Sequence, residues 1–144
     1  MQSSNEPKII LLDTHVWLWY ASGVSQGISR NLRTLIEKLT PNSAVKLSAI
    51  SLWEIGILVM KDKITLIPSV KEWVYKALGD TRVSVEDIHT DIALESTLLP
   101  RELRGDPADR IIIATAKHLG ATLITRDKEI LSYSKKHGFQ ALSI

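Results

Sequence analysis

Asp106-Pro107-Ala108-Asp109-Arg110-Ile111-Ile112-Ile113-Ala114, closing at Lys117-His118-Leu119-Gly120 and running on into Ala121-Thr122-Leu123-Ile124-Thr125-Arg126-Asp127, is the stretch that decides the fold. Asp106 suits a helix N-cap, and Pro107 suits the first helical position, where its missing N–H costs nothing. Asp109 sets an acid in the first turn, where the helix dipole favours it. Gly120 fits the left-handed residue that closes a helix. The segment from Ala121 to Thr125 is apolar and β-branched, as expected for a buried strand ending at Arg126-Asp127.

Working outward, Lys8-Ile9-Ile10-Leu11-Leu12 is a continuous apolar run of strand length, typical of a strand covered on both faces. Ser29 to Leu39 carries Leu32, Leu35, Ile36 and Leu39 on one helical stripe. Val45 to Ile50 reads as a second strand leading into Ser51-Leu52-Trp53-Glu54, a capping-box pattern that would open a helix. Ser69-Val70-Lys71-Glu72 repeats the pattern, Val83-Ser84-Val85 reads as a short strand, Thr90 to Leu99 as a helix, and Phe139 to Ile144 as a closing strand. Alternating strands and helices predict an α/β fold: an open, mostly parallel sheet flanked by helices on both faces, with 1–144 as a single domain.

The 144 residues are enough for a core without staples. The chain has no cysteine, which excludes disulfides and thiolate metal sites and suits a reducing cytoplasm. No stretch resembles a secretory signal or is long enough to span a bilayer, so the expectation is a cytoplasmic protein with no membrane partner. A net charge of +2 is too small to announce nucleic-acid binding, so the distribution of charge must carry that question.

That distribution is informative. In open parallel sheets, ligands bind outside the carboxyl ends of the strands. Asp13 follows the first strand, Glu54 lies one helical turn past the second, Asp127 follows the strand ending at Thr125, and Asp109 sits in a first helical turn. Gathering them is costly, since like charges ~4 Å apart repel by about 1 kcal/mol in water and roughly 4 at an effective dielectric of 20. A hard divalent cation removes that cost, and Mg²⁺ or Mn²⁺ prefers oxygen donors. Carboxylates without ligating histidine or cysteine point to phosphoryl chemistry. Each acid also has a plain structural reading: Asp13 as a turn residue, Glu54 as the partner of Ser51 in a capping box, Asp109 as a dipole charge, Asp106 and Asp127 as helix caps. Their coincidence at strand ends favours the site.

Four segments then carry a family resemblance: Leu11-Leu12-Asp13-Thr14-His15-Val16-Trp17, Ser48-Ala49-Ile50-Ser51-Leu52-Trp53-Glu54-Ile55, Asp106 to Ala114, and Leu123-Ile124-Thr125-Arg126-Asp127. In this order and spacing, the sequence resembles the PIN-domain nucleases, in particular the VapC-type toxins of toxin–antitoxin pairs. The resemblance implies a Mg²⁺- or Mn²⁺-dependent endoribonuclease, commonly a homodimer, inhibited by a small antitoxin. It assigns Asp13, Glu54 and Asp109 to the central catalytic and metal-binding acids, and Asp127 to a more variable fourth. Asp106, Thr14, Thr125 and Arg110 are secondary candidates: Asp106 reads first as a cap, the threonines as partners of metal waters or phosphate, and Arg110 as either a phosphate holder or an ion-pair partner. Trp17, Trp19, Trp53 and Trp73 lie in apolar patterns that suit core or dimer packing better than base stacking. Ile55, Leu58 and Val59 suit the core, with a groove for antitoxin or dimer as a further role.

Two alternatives stay open, a PIN-type RNA-processing nuclease without an antitoxin and a non-catalytic metal-binding interaction domain. A phosphatase is disfavoured because Asp13 has no second acid two residues on, a phosphoacceptor receiver because paired acids after the first strand are missing, and a dinucleotide-binding domain because no glycine-rich turn follows that strand.

Overall fold

The computed structural model describes residues 6–24, 27–103 and 106–144. Five strands, β1 (Ile10–Leu12), β2 (Val45–Ser48), β3 (Ser84–Glu86), β4 (Thr122–Thr125) and β5 (Ala141–Ser143), form one sheet in the order β3-β2-β1-β4-β5. Every neighbouring pair is parallel, with Leu11 opposite Lys46 on one side and Leu123 on the other. The helices are α1 (Thr14–Ser22), α2 (Arg30–Leu39), α3 (Ala49–Met60), α4 (Val70–Thr81), α5 (Thr90–Leu98), α6 (Pro107–Leu119) and α7 (Lys128–His137). The α/β expectation holds, and the described sheet is wholly parallel.

The continuous apolar run of β1 is explained by two separate cores. Ile10 and Leu12 face one layer with Leu47 of β2 and with Trp17, Ile36, Ile55 and Val74, from α1 to α4. Leu11 faces the other with Ile112, Ile113, Leu123 and Ile130, beneath α6 and α7. All three strand residues are fully buried. No helix among the described residues is long and apolar enough to cross a membrane.

The α6 signals act as the sequence predicts. Asp106 accepts the amide N–H of Asp109 at 2.9 Å, and Gly120 closes the helix at φ 63°. Ser29 and Ser69 likewise cap α2 and α4 by accepting from Leu32 and Glu72. The expected capping box at Ser51 does not form. β2 ends at Ser48, which itself accepts from the amide of Ile50, so α3 begins earlier and Ser51 lies buried inside it. Glu54 is thereby released from capping and turned, one helical turn on, toward the end of β1.

Chain order places the site. The connections from β1 step toward β3 on one side, and β4 and β5 add on the other, so the winding reverses between β1 and β4. At this point the loops leave in opposite directions and open a crevice at the carboxyl edge.

Candidate functional site

A cleft of about 490 Å³ opens at that crevice, lined by Asp13, Thr14, His15, Val16, Trp19, Glu54, Asp106, Asp109, Arg126 and Asp127. Five acids from four segments therefore border one cavity. Asp13 leaves β1 and caps α1, and the amide of Thr14 donates to its Oδ1 at 2.8 Å. Thr125, the last residue of β4, donates its hydroxyl to the other oxygen, Oδ2, at 2.6 Å. Both carboxylate oxygens are thus held before any ligand arrives.

Glu54 is fixed through a hydroxyl chain. Thr14 Oγ1 lies 2.5 Å from Glu54 Oε1 and 2.7 Å from Ser51 Oγ. Each hydroxyl carries a single proton, so a relay from Ser51 to Thr14 to Glu54 satisfies all three groups. Thr14 and Ser51 are almost completely buried, which keeps both hydroxyls out of contact with solvent. Ser51 precedes Glu54 by three residues and so shares its helical face. That spacing is the sequence signal for the relay, although by pattern alone it matches a capping box.

Among the described residues, carboxylate oxygens of Glu54, Asp106 and Asp109 lie within 4.8 Å of one another, the only acid or histidine trio that close. Asp106 therefore belongs to the group as well as to the cap: one oxygen accepts from the helix while the residue faces the other acids. Asp13 borders the same cleft outside this trio. Asp127 stands at the rim, where its Oδ1 accepts the amides of Glu129 and Ile130 as the cap of α7.

The electrostatic cost of this gathering is visible on Asp109. Burial, and then the charges of Asp106, Asp13, Glu54 and Asp127, push its carboxyl up to about 7. Glu54 is raised in the same direction, chiefly by burial, with the Thr14 hydroxyl opposing and Asp106 and Asp13 adding to the rise. An all-oxygen donor set that strains to hold its own charge fits a hard divalent cation. Opposed ligands of Mg²⁺ sit about 4.2 Å apart at its usual ~2.1 Å bond length. A spread within 4.8 Å needs at most a small inward movement.

The rest of the lining is partly aromatic and basic. The Arg126 guanidinium lies over the Trp19 ring, 4.6 Å from its centroid, and His15 tilts against the same ring at 5.9 Å. Neither Arg126 nor Trp19 was singled out for the cleft from sequence. Arg110 is the residue that the structure turns away. Its guanidinium donates to the carbonyls of Ser96, Leu99, Pro100 and Leu103, tying the end of α5 to α6, and it pairs with no acid among the described residues. Of the tryptophans, Trp17 is fully buried and meets Trp73 edge-on at 5.8 Å, as packing predicts. Trp53 is 59% exposed and so lies outside the core. Ile55 is pure core, while Leu58 is only partly covered.

Comparison with known proteins agrees with this geometry. The PIN domain family model matches residues 10–136. Ribonuclease VapC22 of Mycobacterium tuberculosis is 32% identical over 124 residues, covering 86% of this chain and 91% of that protein. Among solved structures, VapBC2 from Rickettsia felis, bound to a DNA fragment from its promoter, superposes with a TM-score of 0.70 at 19% identity, covering 94% of this chain and 98% of that one. A toxin–antitoxin complex from Klebsiella pneumoniae gives a TM-score of 0.57 at 24% identity over 84% of this chain and 89% of that one. Motif order, sheet topology and full-length similarity converge: the chain belongs to the PIN-domain family, and within it resembles the VapC-type ribonucleases.

Proposed function

We propose that this protein is a divalent-metal-dependent endoribonuclease acting as the toxin of a toxin–antitoxin pair. The observation that carries the reading is the cleft at the β1–β4 switch point, where Asp13, Glu54, Asp106, Asp109 and Asp127 meet with Thr14 and Thr125 behind them. The ribonuclease similarity supplies the substrate class. Glu54, Asp106 and Asp109 would hold Mg²⁺ or Mn²⁺ with Asp13 beside them, and Asp127 would act from the rim. Bound there, such an ion lowers the pKa of a coordinated water and offsets charge on a phosphodiester in transit.

The protein's own groups do the positioning. Thr125 and the Thr14 amide fix Asp13 on both oxygens, and the Ser51–Thr14 relay fixes Glu54. In the metal-free state Asp109 holds a proton close to neutrality, which relieves the repulsion among its neighbours. The Arg126 guanidinium stacked on Trp19 adds positive charge to the lining of the same cleft. This reading places the protein in the cytoplasm as one domain.

The antitoxin partner rests on the toxin–antitoxin similarity and on uncovered apolar surface. Ile67 and Tyr75, 76% and 68% exposed, border a groove with Pro68 and Trp73. Leu94 and Leu98 on α5, 59% and 79% exposed, form a second uncovered apolar surface suited to a homodimer. The test is cleavage of a labelled RNA by purified protein after chelation and after return of Mg²⁺ or Mn²⁺. Cleavage should disappear and return with the ion. Cleavage that persists in chelator would overturn the metal requirement, and a metal-loaded protein that leaves all RNA intact would overturn the activity.

A further inference from the structure

The acidic cleft does not end at Glu54. A second trough of about 300 Å³ continues from it along the carboxyl-terminal half of α3, sharing Thr14, His15, Glu54 and Asp106 with the cleft. Its far wall is different in kind: Trp53, Ile57 and Leu58 supply an apolar floor, and Lys61 and Lys63 stand at the end.

Three observations point to a ligand here. Trp53 is 59% exposed, although indole is among the most costly side chains to leave in water. Lys61 and Lys63, like most lysines among the described residues, are paired with no acid, so both charges are open to a ligand. The backbone that carries them is fixed: Lys61 closes α3, Asp62 takes a left-handed φ of 57°, and the Lys63 amide returns to the Leu58 carbonyl at 2.8 Å. This turn projects two cations beside one exposed aromatic ring, next to the acids. A flat apolar face flanked by positive charge is what single-stranded nucleic acid uses, with the base on the ring and phosphates on the cations.

We propose that this trough is the subsite for the nucleotide adjoining the scissile phosphate in single-stranded RNA, its base stacked on Trp53 and its flanking phosphates held by Lys61 and Lys63. The inference rests on the ribonuclease reading and deepens it. The acids, once neutralised by an ion, take the phosphate to be cut, and the trough fixes which stretch of chain lies beside it. Duplex RNA presents no free base face to Trp53, so the subsite selects unpaired segments.

The test is fluorescence anisotropy of a labelled single-stranded RNA octamer, with Ca²⁺ in place of Mg²⁺ and RNA integrity checked on a gel. Trp53→Ala should weaken binding about tenfold, with Trp53→Phe restoring part of it. The double variant Lys61→Gln, Lys63→Gln should lower the slope of log affinity against log salt by about 1.4, two contacts at ~0.7 each. Thermal melts and Mn²⁺ binding by calorimetry should match wild type in all three, which separates a lost subsite from a damaged fold or metal centre. Wild-type affinity and salt slope in both the Trp53→Ala and the double-lysine protein would overturn the subsite while leaving the ribonuclease reading intact. A protein that binds RNA normally yet loses a co-expressed antitoxin would assign the trough to a protein partner and also overturn it. If wild type itself binds no RNA, the ribonuclease reading falls and the subsite falls with it.

Discussion

Replacing Asp109 with asparagine should stabilise the metal-free protein while destroying its ability to bind the ion. The carboxyl ordinarily titrates near 3.8 and is pushed up to about 7 in the fold, by burial first and then by four neighbouring acids. The folded protein therefore binds an extra proton between those values. Stability is highest below the unfolded pKa and falls as pH rises through the window from about 4 to 7. A difference of about three pH units corresponds to at most ~4 kcal/mol. The carboxyl is only half buried, so solvent screening brings the cost nearer to 1–2 kcal/mol. Asparagine keeps the volume and removes the charge, but forfeits roughly 0.3–1 kcal/mol of favourable interaction with the amino end of α6. At the middle of both ranges the net gain at pH 8 in chelator is about 0.9 kcal/mol, a rise of roughly 3 °C in melting temperature for a chain of this size. At pH 4 the gain should vanish, because the wild-type carboxyl is then protonated in the fold. Added Mg²⁺ should raise the melting point of wild type and leave that of the variant unmoved. Thermal melts at both pH values, with and without ion, read all of this. A variant that melts at or below wild type at pH 8, or shows the same difference at pH 4, would refute the reasoning.

Other substitutions follow from the hydrogen bonds. Thr14→Val leaves Ser51 and Glu54 without their shared hydroxyl and should cost about 1–3 kcal/mol in urea titration, with Thr14→Ser recovering most of it. Arg110→Ala removes four donations to backbone carbonyls and should destabilise by roughly 2–4 kcal/mol, and Arg110→Lys should not rescue it, since one ammonium cannot reproduce the fork; calorimetric Mn²⁺ binding to the folded variant should be unchanged. Asp106→Asn keeps the α6 cap but removes one charge from the acid trio, so Mn²⁺ affinity should fall at least tenfold with the melting point unchanged or slightly raised. Unaltered Mn²⁺ affinity in that variant would return Asp106 to a purely structural cap.

Where the sequence was legible, the determining signals were local and mutually consistent. Asp106, Pro107 and Gly120 bound α6 because each acts on the backbone within a few residues of itself, and the unbroken apolar run of β1 follows from a strand covered on both faces. α1 was not read as a helix. Thr14 to Tyr20 is β-branched and aromatic with no single apolar stripe, and its helical state is decided by the Asp13 cap and by burial of Val16, Trp17 and Leu18. Ser51-Leu52-Trp53-Glu54 matched a capping box by pattern, but β2 ends at Ser48 and moves the cap three residues upstream, a tertiary outcome that no local rule contains. The same one-turn spacing still placed Glu54 on the correct face. Arg110 was undecidable because a guanidinium serves phosphate, carboxylate and backbone carbonyls equally well, and only the approach of the α5–α6 segment selects the last. The position of the acids at strand ends was visible in the chain; the order of strands that brings those ends together was not.

The central claim is that the carboxylates at the switch point perform RNA cleavage through a bound ion, and one measurement addresses it most directly. Purified wild type and Asp13→Asn are compared for cleavage of a labelled single-stranded RNA in Mg²⁺, with circular dichroism verifying that both are folded. The Oδ1 of asparagine still accepts the Thr14 amide as the α1 cap, and its Nδ2 amide donates to the Thr125 hydroxyl oxygen, so the local structure has reason to persist while the charge is gone. The account predicts metal-dependent cleavage by wild type and none above the chelator control by the folded variant; cleavage by Asp13→Asn at the wild-type rate would contradict it.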